Sequence, residues 1–430
     1  MQSSTFLIQR LRDKFLAQDL SDFNVVIPQN HLNLENKTRS NIFSWRGQFS
    51  PQLIENLLLY YCPKKANILD PFAGSGTTLY EAACFGLPVS GCEVNPAAWI
   101  LSRTYQLMNL ELSNRERLVS SITEKLEKSF PKPNLFENSQ PREFSVTEFK
   151  YLIPDLYKGS NNWEIIILDT FIILLDLANN QITTGYIHHI FYKLCQFIKN
   201  FPYSQAPITS LLCDARCLPI DTDSVDFVIT SPPYINVFNY HQNYRVSAEA
   251  LGWDLLKIAK SEIGSNRANR KNRFFTVVQY CLDIASVLRE LQRVCKYDAR
   301  IIFVVGHQSN VLGVPFYNAE IISALSTQSN LFELKITQKR IFKNKFGKVI
   351  REDLLNFCNK NSSLSVEEMD KIARNVARKV LYDGLEIVSE KNKPDLLEAI
   401  AKISDLSKSP IYNSETTTYY EKPINTFTST

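Results

Sequence analysis

The stretch from Ala66 to Val94 constrains the fold more than any other part of this sequence. It reads ANILD, PFAGSG, TTLYEAACFG and LPVSGCEV: an apolar run, a glycine turn, a helix-forming run and a second apolar run. This order predicts a strand, a turn, a helix and a parallel strand. A sheet that begins in this way needs further strands and helices in alternation.

Later segments continue the alternation. ITSLLC before Asp214 and VDFVIT before Ser231 predict two more strands, and ARIIFVVG (299–306) predicts a fully buried central strand. A long amphipathic helix is predicted from Thr276 to Cys295. The sequence therefore predicts an α/β fold with a doubly wound, Rossmann-like sheet.

Two long segments fall outside this alternation. Residues 108–207 contain three amphipathic runs and are too long for an ordinary crossover, so they predict a helical insertion. Residues 351–430 predict a C-terminal extension that is helical from Glu352 to Leu406 and ends in a flexible tail. The main domain is then expected in two parts, 1–107 and 208–350.

Composition excludes several classes of protein. Hydrophobic residues make up 44% and charged residues 21%, as in globular rather than disordered chains. The most apolar stretch (165–178) is too short for a membrane span, and the N-terminus lacks the apolar core of a secretion signal. We therefore expect no membrane segment and a cytoplasmic location. The nine cysteines lack the spacing of metal ligands, which predicts reduced thiols and no metal site.

The glycine motif, Asp70-Pro71-Phe72-Ala73-Gly74-Ser75-Gly76-Thr77, lies where the first predicted strand gives way to a helix. Glycines let the backbone approach a ligand, and the N-terminus of the helix offers unpaired N–H groups. Leu79 stands where dinucleotide-binding turns have their third glycine. The motif predicts a small nucleotide-like cofactor, and the alternative is a structural turn.

Two acidic residues follow neighbouring predicted strands. Glu93 stands at the spacing at which a carboxylate accepts hydrogen bonds from both hydroxyls of an adenosine ribose. Asp214 is placed where a carboxylate accepts from an adenine amino group. For each residue the alternative is a solvated carboxylate at the end of a strand.

The proline motif, Thr230-Ser231-Pro232-Pro233-Tyr234, follows the fourth predicted strand. Two successive prolines fix φ and remove two N–H donors, so the turn presents acceptors without competing donors. The Ser231 hydroxyl and the Pro232 carbonyl are expected to accept from an NH₂ group, which orients the amine toward an electrophilic methyl. Tyr234 is expected to stack on the ring that bears this amine. An ordinary proline turn is the alternative.

Together, DPFAGSGTT and TSPPY resemble the amino-methyltransferase family of DNA restriction-modification systems, over roughly residues 43–306. The resemblance implies a Rossmann-like methyltransferase fold, S-adenosylmethionine at the glycine motif and a flipped DNA base at the proline motif. The segment Arg46-Gly47-Gln48-Phe49-Ser50-Pro51 resembles the one that closes over the methionine end of the cofactor. A serine before PPY, as at Ser231, is typical of enzymes that methylate cytosine N4. Many such enzymes carry the motifs in the opposite order, so adenine N6 stays open.

The motifs and the resemblance together predict the site residues. The predicted cofactor-binding residues are Phe49, Ser50, Asp70, Phe72, Gly74, Gly76, Thr77, Glu93 and Asp214. The predicted catalytic residues are Ser231, Pro232, Pro233 and Tyr234. Asn236, Phe238 and Tyr240 are candidates for the base pocket, although a packed loop explains them equally well. The methyl is expected to pass directly to the amine, without a covalent enzyme intermediate. In agreement, none of the nineteen prolines is followed by a cysteine, the dipeptide used by enzymes that methylate ring carbon 5.

Two basic stretches predict contacts with double-stranded DNA. They are 267–273 (RANRKNR) and 335–351 (KITQKRIFKNKFGKVIR), and solvated loops are the alternative. The predicted DNA-binding residues are Arg267, Arg270, Lys271 and Arg273. Sequence recognition is expected in the insertion or the C-terminal region, and the resemblance implies a partner restriction endonuclease for the same site.

Four other functions share parts of this pattern. Adenine-N6 methylation needs the same acceptor cluster. RNA guanine-N2 and protein glutamine methylation use related motifs. A DNA-binding regulator without turnover is an alternative of another class, against which the two complete motifs argue.

Overall fold

The computed structural model describes residues 24–35, 38–132, 142–235, 239–265, 269, 271–344, 347–360 and 362–412. The strands are β1 (Ile68–Asp70), β2 (Val89–Glu93), β3 (Glu143–Phe144), β4 (Ile182–Thr183), β5 (Ile208–Leu212), β6 (Val225–Thr230), β7 (Cys295–Gly306), β8 (Ser309–Val311), β9 (Val314–Phe316), β10 (Phe332–Lys343) and β11 (Val349–Asn359). The helices are α1 (Gln29–Asn33), α2 (Pro51–Tyr61), α3 (Thr77–Cys84), α4 (Pro96–Arg103), α5 (Leu112–Ser129), α6 (Val146–Tyr157), α7 (Asn162–Leu174), α8 (Thr184–Asn200), α9 (Arg245–Ala250), α10 (Leu255–Ile258), α11 (Phe275–Val294), α12 (Asn318–Gln328), α13 (Val366–Gly384) and α14 (Lys393–Ala401).

Seven of these strands form one sheet in the order β10-β11-β7-β6-β1-β2-β5. Five neighbouring strands, β7, β6, β1, β2 and β5, are parallel. Strand β11 runs antiparallel to both β7 and β10. Strand β1 lies between β2 and β6, so the chain changes its direction of travel across the sheet at β1. Open α/β sheets bind ligands at such a point, beyond the carboxyl ends of the strands. The α/β, Rossmann-like fold predicted from the sequence is confirmed.

Side chains that alternate along the strands face two apolar layers. In β6, Phe227 and Ile229 pack in the layer that contains α2, α3 and α4. Val228 packs in the opposite layer, with α11, α12 and α13. Because both faces of the central strands are covered, most of their residues are apolar.

The predicted helical insertion lies between β2 and β5 and contains α5, α6, α7 and α8. Asn161 begins α7 with a capping box, in which its side chain accepts from the backbone N–H of Glu164 and the Glu164 side chain accepts from the backbone N–H of Asn161. The helix is buried against the main body, where the hydroxyls of Thr170 and Thr104 lie 2.6 Å apart. The insertion therefore shares an apolar core with the seven-stranded sheet.

The C-terminal region corrects one expectation. The helix predicted from Glu352 does not begin there, because residues 352–359 belong to β11. The run from Leu354 to Cys358 is buried between β7 and β10, which favours a strand over an amphipathic helix. The helix begins at Val366, where Ser365 and Glu368 form a capping box. The tail predicted as flexible (414–430) lies outside the described residues.

Two further findings concern the class of the protein. Within the described ranges, no helix combines the length and the apolarity that a bilayer crossing requires. All nine cysteines are free thiols, as the sequence predicts.

Candidate active site

A cleft opens at the carboxyl edge of the sheet, beyond β1, β2, β5 and β6. Its walls come from the loops that follow these strands and from two other segments, 45–49 and 261–263. The lining residues are Trp45, Arg46, Gly47, Gln48, Phe49, Pro71, Phe72, Ala73, Gly74, Thr77, Glu93, Val94, Asn95, Cys213, Asp214, Ala215, Ser231, Pro233, Tyr234, Tyr240, Ser261, Glu262 and Ile263. The cleft therefore brings the glycine and proline motifs together.

The glycine motif forms the turn between β1 and α3. Phe72, Gly74 and Thr77 line the cleft, as expected of cofactor-binding residues. Gly76 does not line it. Its φ is +87°, and a Cβ at this position would lie 2.8 Å from the Cβ of Ser102 in α4. Gly76 therefore lets two helices approach each other closely instead of contacting a ligand.

Asp70, predicted to bind the cofactor, lies behind the wall of the cleft. It is 1% exposed and accepts hydrogen bonds from Thr78 Oγ1 at 2.7 Å, Thr230 Oγ1 at 2.8 Å and the backbone N–H of Phe72 at 3.1 Å. Burial raises the pKa of Asp70 to about 6. Because Thr78 belongs to the helix of the glycine motif and Thr230 to the proline motif, Asp70 joins the two motifs.

Glu93 lies at the end of β2 and lines the cleft. Its Oε2 accepts from the backbone N–H of Gly74 at 2.9 Å, and its Oε1 accepts from that of Asn95 at 2.8 Å. Burial raises the pKa of Glu93 to about 7, against the lowering effect of these two hydrogen bonds. Each carboxylate oxygen still has capacity for another donor, so the group is suited to two neighbouring hydroxyls.

The segment before α2 covers the glycine turn. Gln48 Oε1 accepts from Ser75 Oγ at 2.8 Å, and Asn41 bonds both the Phe49 carbonyl and the Thr77 hydroxyl. Phe49 lines the cleft as predicted. Ser50 does not, because it lies at the start of α2 with its hydroxyl buried.

The proline motif follows β6. Ser231, Pro233 and Tyr234 line the cleft, and Pro232 is buried beneath them. Ser231 Oγ lies 3.2 Å from the Tyr234 hydroxyl. The Tyr234 ring packs directly on Gly306 at the end of β7, where a Cβ would lie 2.9 Å from the ring atom Cε2. Burial raises the pKa of Tyr234 above its ordinary value, so the phenol stays neutral.

Comparison with known proteins gives independent information on the function of this cleft. The family model described as DNA methylase, for N6 and N4 methyltransferases, matches residues 13–100, which include the glycine motif and β2. This match supports a relationship of the chain to the N4/N6 DNA methylase family.

The individual relatives are distant. The Type II methyltransferase M.BsoBI of Geobacillus stearothermophilus is 24% identical over 304 residues, which are 56% of this chain and 58% of the relative. M.AvaI of Nostoc sp. is 22% identical over 68% of this chain and 70% of its own length. The match to M.BsoBI thus spans less than two thirds of that relative. A solved SAM-dependent methyltransferase of Methanosarcina mazei has a TM-score of 0.32 and 11% identity, covering 69% of this chain and 94% of its own.

Asp214 lines the cleft, but its carboxylate is engaged within the protein. Oδ1 accepts from the backbone N–H and Nε of Arg216, and Oδ2 accepts from Nη2 of Arg216 at 2.6 Å and the backbone N–H of Tyr412 at 3.0 Å. Arg216 also donates to Asp283 at 2.7 Å and to the Ser409 carbonyl at 2.8 Å. The predicted contact between this carboxylate and an adenine amino group therefore has to compete with four existing hydrogen bonds.

One part of the site escaped the sequence analysis. Glu262 lines the cleft, is 5% exposed and accepts at Oε2 from Nδ1 of the buried His241 at 3.0 Å. Neither residue lies in a recognisable motif, and the segment between β6 and α11, whose only α-helices among its described residues are the short α9 and α10, has no regular periodicity. The one local signal is Gly264, whose φ of +72° marks the turn that follows Glu262.

The predicted DNA-binding residues are described in part. Lys271 is exposed and Arg273 is half-buried, just before α11 begins. Since α11 leads back to the start of β7, these residues lie at the same edge of the sheet as the cleft. Arg267 and Arg270 lie outside the described residues, as do Asn236 and Phe238, whereas Tyr240 lines the cleft.

The second basic stretch forms a hairpin rather than solvated loops. Its strands β10 and β11 pair from Phe332 with Asn359 to Lys343 with Val349. Because Glu352 pairs with Gly306, the last residue of β7, the turn of the hairpin extends beyond the edge that carries the cleft. Exposed cations on this extension include Lys343, Lys348 and Arg351.

Proposed function

We propose that this DNA methylase moves a methyl group from S-adenosylmethionine to the exocyclic N4 of cytosine in double-stranded DNA, in a cytoplasmic restriction-modification system. One observation carries the proposal: Gly74 and Glu93 share a single cleft with Ser231 and Tyr234. A donor held by the first pair lies beside an amine held by the second. The match to the DNA methylase model supports the same reaction.

The cofactor supplies an electrophilic methyl group on a sulfonium. Glu93 accepts hydrogen bonds from the ribose hydroxyls, with its carboxylate held by two backbone N–H groups. Phe72, Phe49 and Thr77 form the remaining walls at this end of the cleft.

At the other end, the residues of the proline motif orient the target. The amine of a stacked base does not reach the cleft, so the base is rotated out of the duplex. Ser231 Oγ and the Pro232 carbonyl accept from the amine, and neither proline offers a competing N–H. Tyr234, fixed against Gly306, supports the plane of the base. Orientation of the nitrogen lone pair toward the methyl group is then the main catalytic contribution.

The choice of N4 over N6 rests on Ser231, because a serine before PPY resembles the cytosine-N4 enzymes. Adenine N6 is the second candidate, since the same acceptors serve either amine. Mass spectrometry of nucleosides from DNA methylated by the purified protein distinguishes them. N4-methylcytosine supports the proposal, and N6-methyladenine replaces it with the alternative.

Replacement Ser231→Ala tests the catalytic assignment. Loss of one preorganised hydrogen-bonding partner of the reacting group costs on the order of a hundredfold in rate, so we expect a fall of that size in single-turnover methylation. Affinity for S-adenosylmethionine should not change, because Ser231 acts on the target. Ser231→Thr keeps the hydroxyl and serves as the control. Undiminished methylation by the alanine variant would contradict the role.

DNA binding at this edge is the remaining part of the proposal. Arg267, Arg270, Lys271 and Arg273 contact phosphates, as do the exposed cations of the hairpin of β10 and β11. The variant Arg270→Ala/Lys271→Ala should weaken binding to all DNA sequences alike, and lose about one to two units of the slope of log affinity against log salt. Affinity and salt dependence equal to those of the unchanged protein would remove the role. The helical insertion is the proposed reader of the recognition sequence, and a restriction endonuclease for the same site is the proposed partner.

A further inference from the structure

Glu262 is a buried acid with unused hydrogen-bonding capacity. Its Oε2 is bonded to His241, whereas its Oε1 is buried and has no hydrogen-bond partner among the residues that the structure describes. Buried polar atoms are nearly always paired, and an unpaired carboxylate oxygen is costly. Because Glu262 lines the cleft, a bound molecule is the natural source of the missing partner.

The charges around Glu262 favour a cation. Glu93 lies in the same cleft and is close enough that the charge of Glu262 contributes to its raised pKa. The third acid, Asp214, is already paired with Arg216. Of the described residues that line the cleft, only Arg46 is cationic, and its side chain lies at the exposed rim. The interior of the cleft therefore carries an excess of negative charge.

We propose that Glu262, held by His241, is a second acidic binding residue that recognises the positive charge of the cofactor. This proposal rests on the function proposed above. It adds to that function a residue that binds the cationic methyl donor more tightly than the product, in which the sulfur carries no charge.

The methyl transfer itself changes the charge that Glu262 faces. The nitrogen lone pair forms the new C–N bond, the C–S electron pair stays on sulfur, and the amine releases one proton to solvent water. The sulfonium thus becomes a neutral thioether. A carboxylate in a cleft of low dielectric stabilises the cation more than the thioether, so Glu262 favours binding of the donor and release of the product.

Calorimetric titration of Glu262→Gln, without DNA, tests this directly. The probes are S-adenosylmethionine and S-adenosylhomocysteine. We expect the affinity for the first to fall about tenfold, which corresponds to ~1.4 kcal/mol, and the affinity for the second to change less than twofold. Glu386→Gln, which removes an exposed carboxylate remote from the cleft, is the control and should leave both affinities unchanged.

A change in the ratio of the two affinities separates charge recognition from a loss of structure. Glu262→Asp keeps the charge and should keep most of the preference for the cationic probe. The proposal is overturned if the ratio is the same in Glu262→Gln as in the unchanged protein. It is equally overturned if Glu262→Asp loses as much preference as Glu262→Gln.

Two further outcomes separate the role of Glu262 from the proposed function. A slower methylation rate with an unchanged ratio would assign Glu262 to the target amine instead and overturn the cofactor role. If the unchanged protein binds neither probe, the proposed function itself fails. Binding of both probes by the unchanged protein with no effect of the substitution refutes only the role of Glu262.

Discussion

Two carboxylates at neighbouring strand ends, Glu93 and Asp214, differ in how their hydrogen bonds are used. Glu93 is held by two backbone N–H groups and keeps acceptor capacity toward the cleft. Asp214 receives four hydrogen bonds from Arg216 and Tyr412 and forms part of a buried ionic network with Asp283. The same position relative to a strand therefore leaves a carboxylate with acceptor capacity toward the cleft in one case and fully engaged within the protein in the other.

The largest expected effect comes from breaking the network around Asp214. Arg216→Met leaves two buried carboxylates without their cation, which should lower the free energy of unfolding by about 3–5 kcal/mol. Urea denaturation measures the loss. Lys379→Met, which breaks an exposed ion pair with Asp383, should change stability by less than about 1 kcal/mol. A loss no larger for Arg216→Met than for this control would show that the network does not stabilise the fold.

A smaller effect, on binding, is expected at Glu93. Glu93→Ala removes the proposed charged acceptor of the cofactor hydroxyls and should weaken S-adenosylmethionine binding by about 2–3 kcal/mol, roughly thirty- to a hundred-and-fiftyfold. Asp214→Asn should weaken the same binding less than about threefold, because its carboxylate is used within the protein. Calorimetry on both variants measures the difference. Equal losses would remove the distinction between the two acids.

The smallest effect is a pH dependence of cofactor binding. Burial raises the pKa of Glu93 to about 7, and a cationic cofactor favours the ionised carboxylate. Affinity should therefore increase as pH rises through 7, by up to about tenfold between pH 6 and pH 8. Glu93→Gln should flatten this profile. A variant with the original slope would assign the titration to another group.

The sheet and the two motifs were predictable because their signals are local. The glycine turn, the apolar strands and the paired prolines each lie within a few consecutive residues, and Gly74, Glu93, Ser231 and Tyr234 do meet in one cleft. Pairing between distant residues was not predictable. Arg216 meets Asp283 and Ser409 across 67 and 193 positions, so the sequence gives no indication that Asp214 is engaged.

Two other parts of the molecule had misleading or missing local signals. In β10 and β11, cations alternate with apolar residues near the turn, which resembles a solvated basic loop as much as a hairpin. Glu262 lies after the short helix α10 in an irregular segment. Its side chain is bonded to His241, 21 positions earlier. The sequence around Glu262 indicates neither that its side chain is buried nor which residue it bonds. Both facts are visible only in the tertiary structure.

The hydrogen bonds of Asp70 suggest how this fold would respond to circular permutation of its chain. The glycine motif and the proline motif are joined by hydrogen bonds that the Thr78 and Thr230 hydroxyls donate to Asp70, across the adjacent strands β1 and β6. A circular permutant that supplied the proline motif first would keep the same hydrogen bonds.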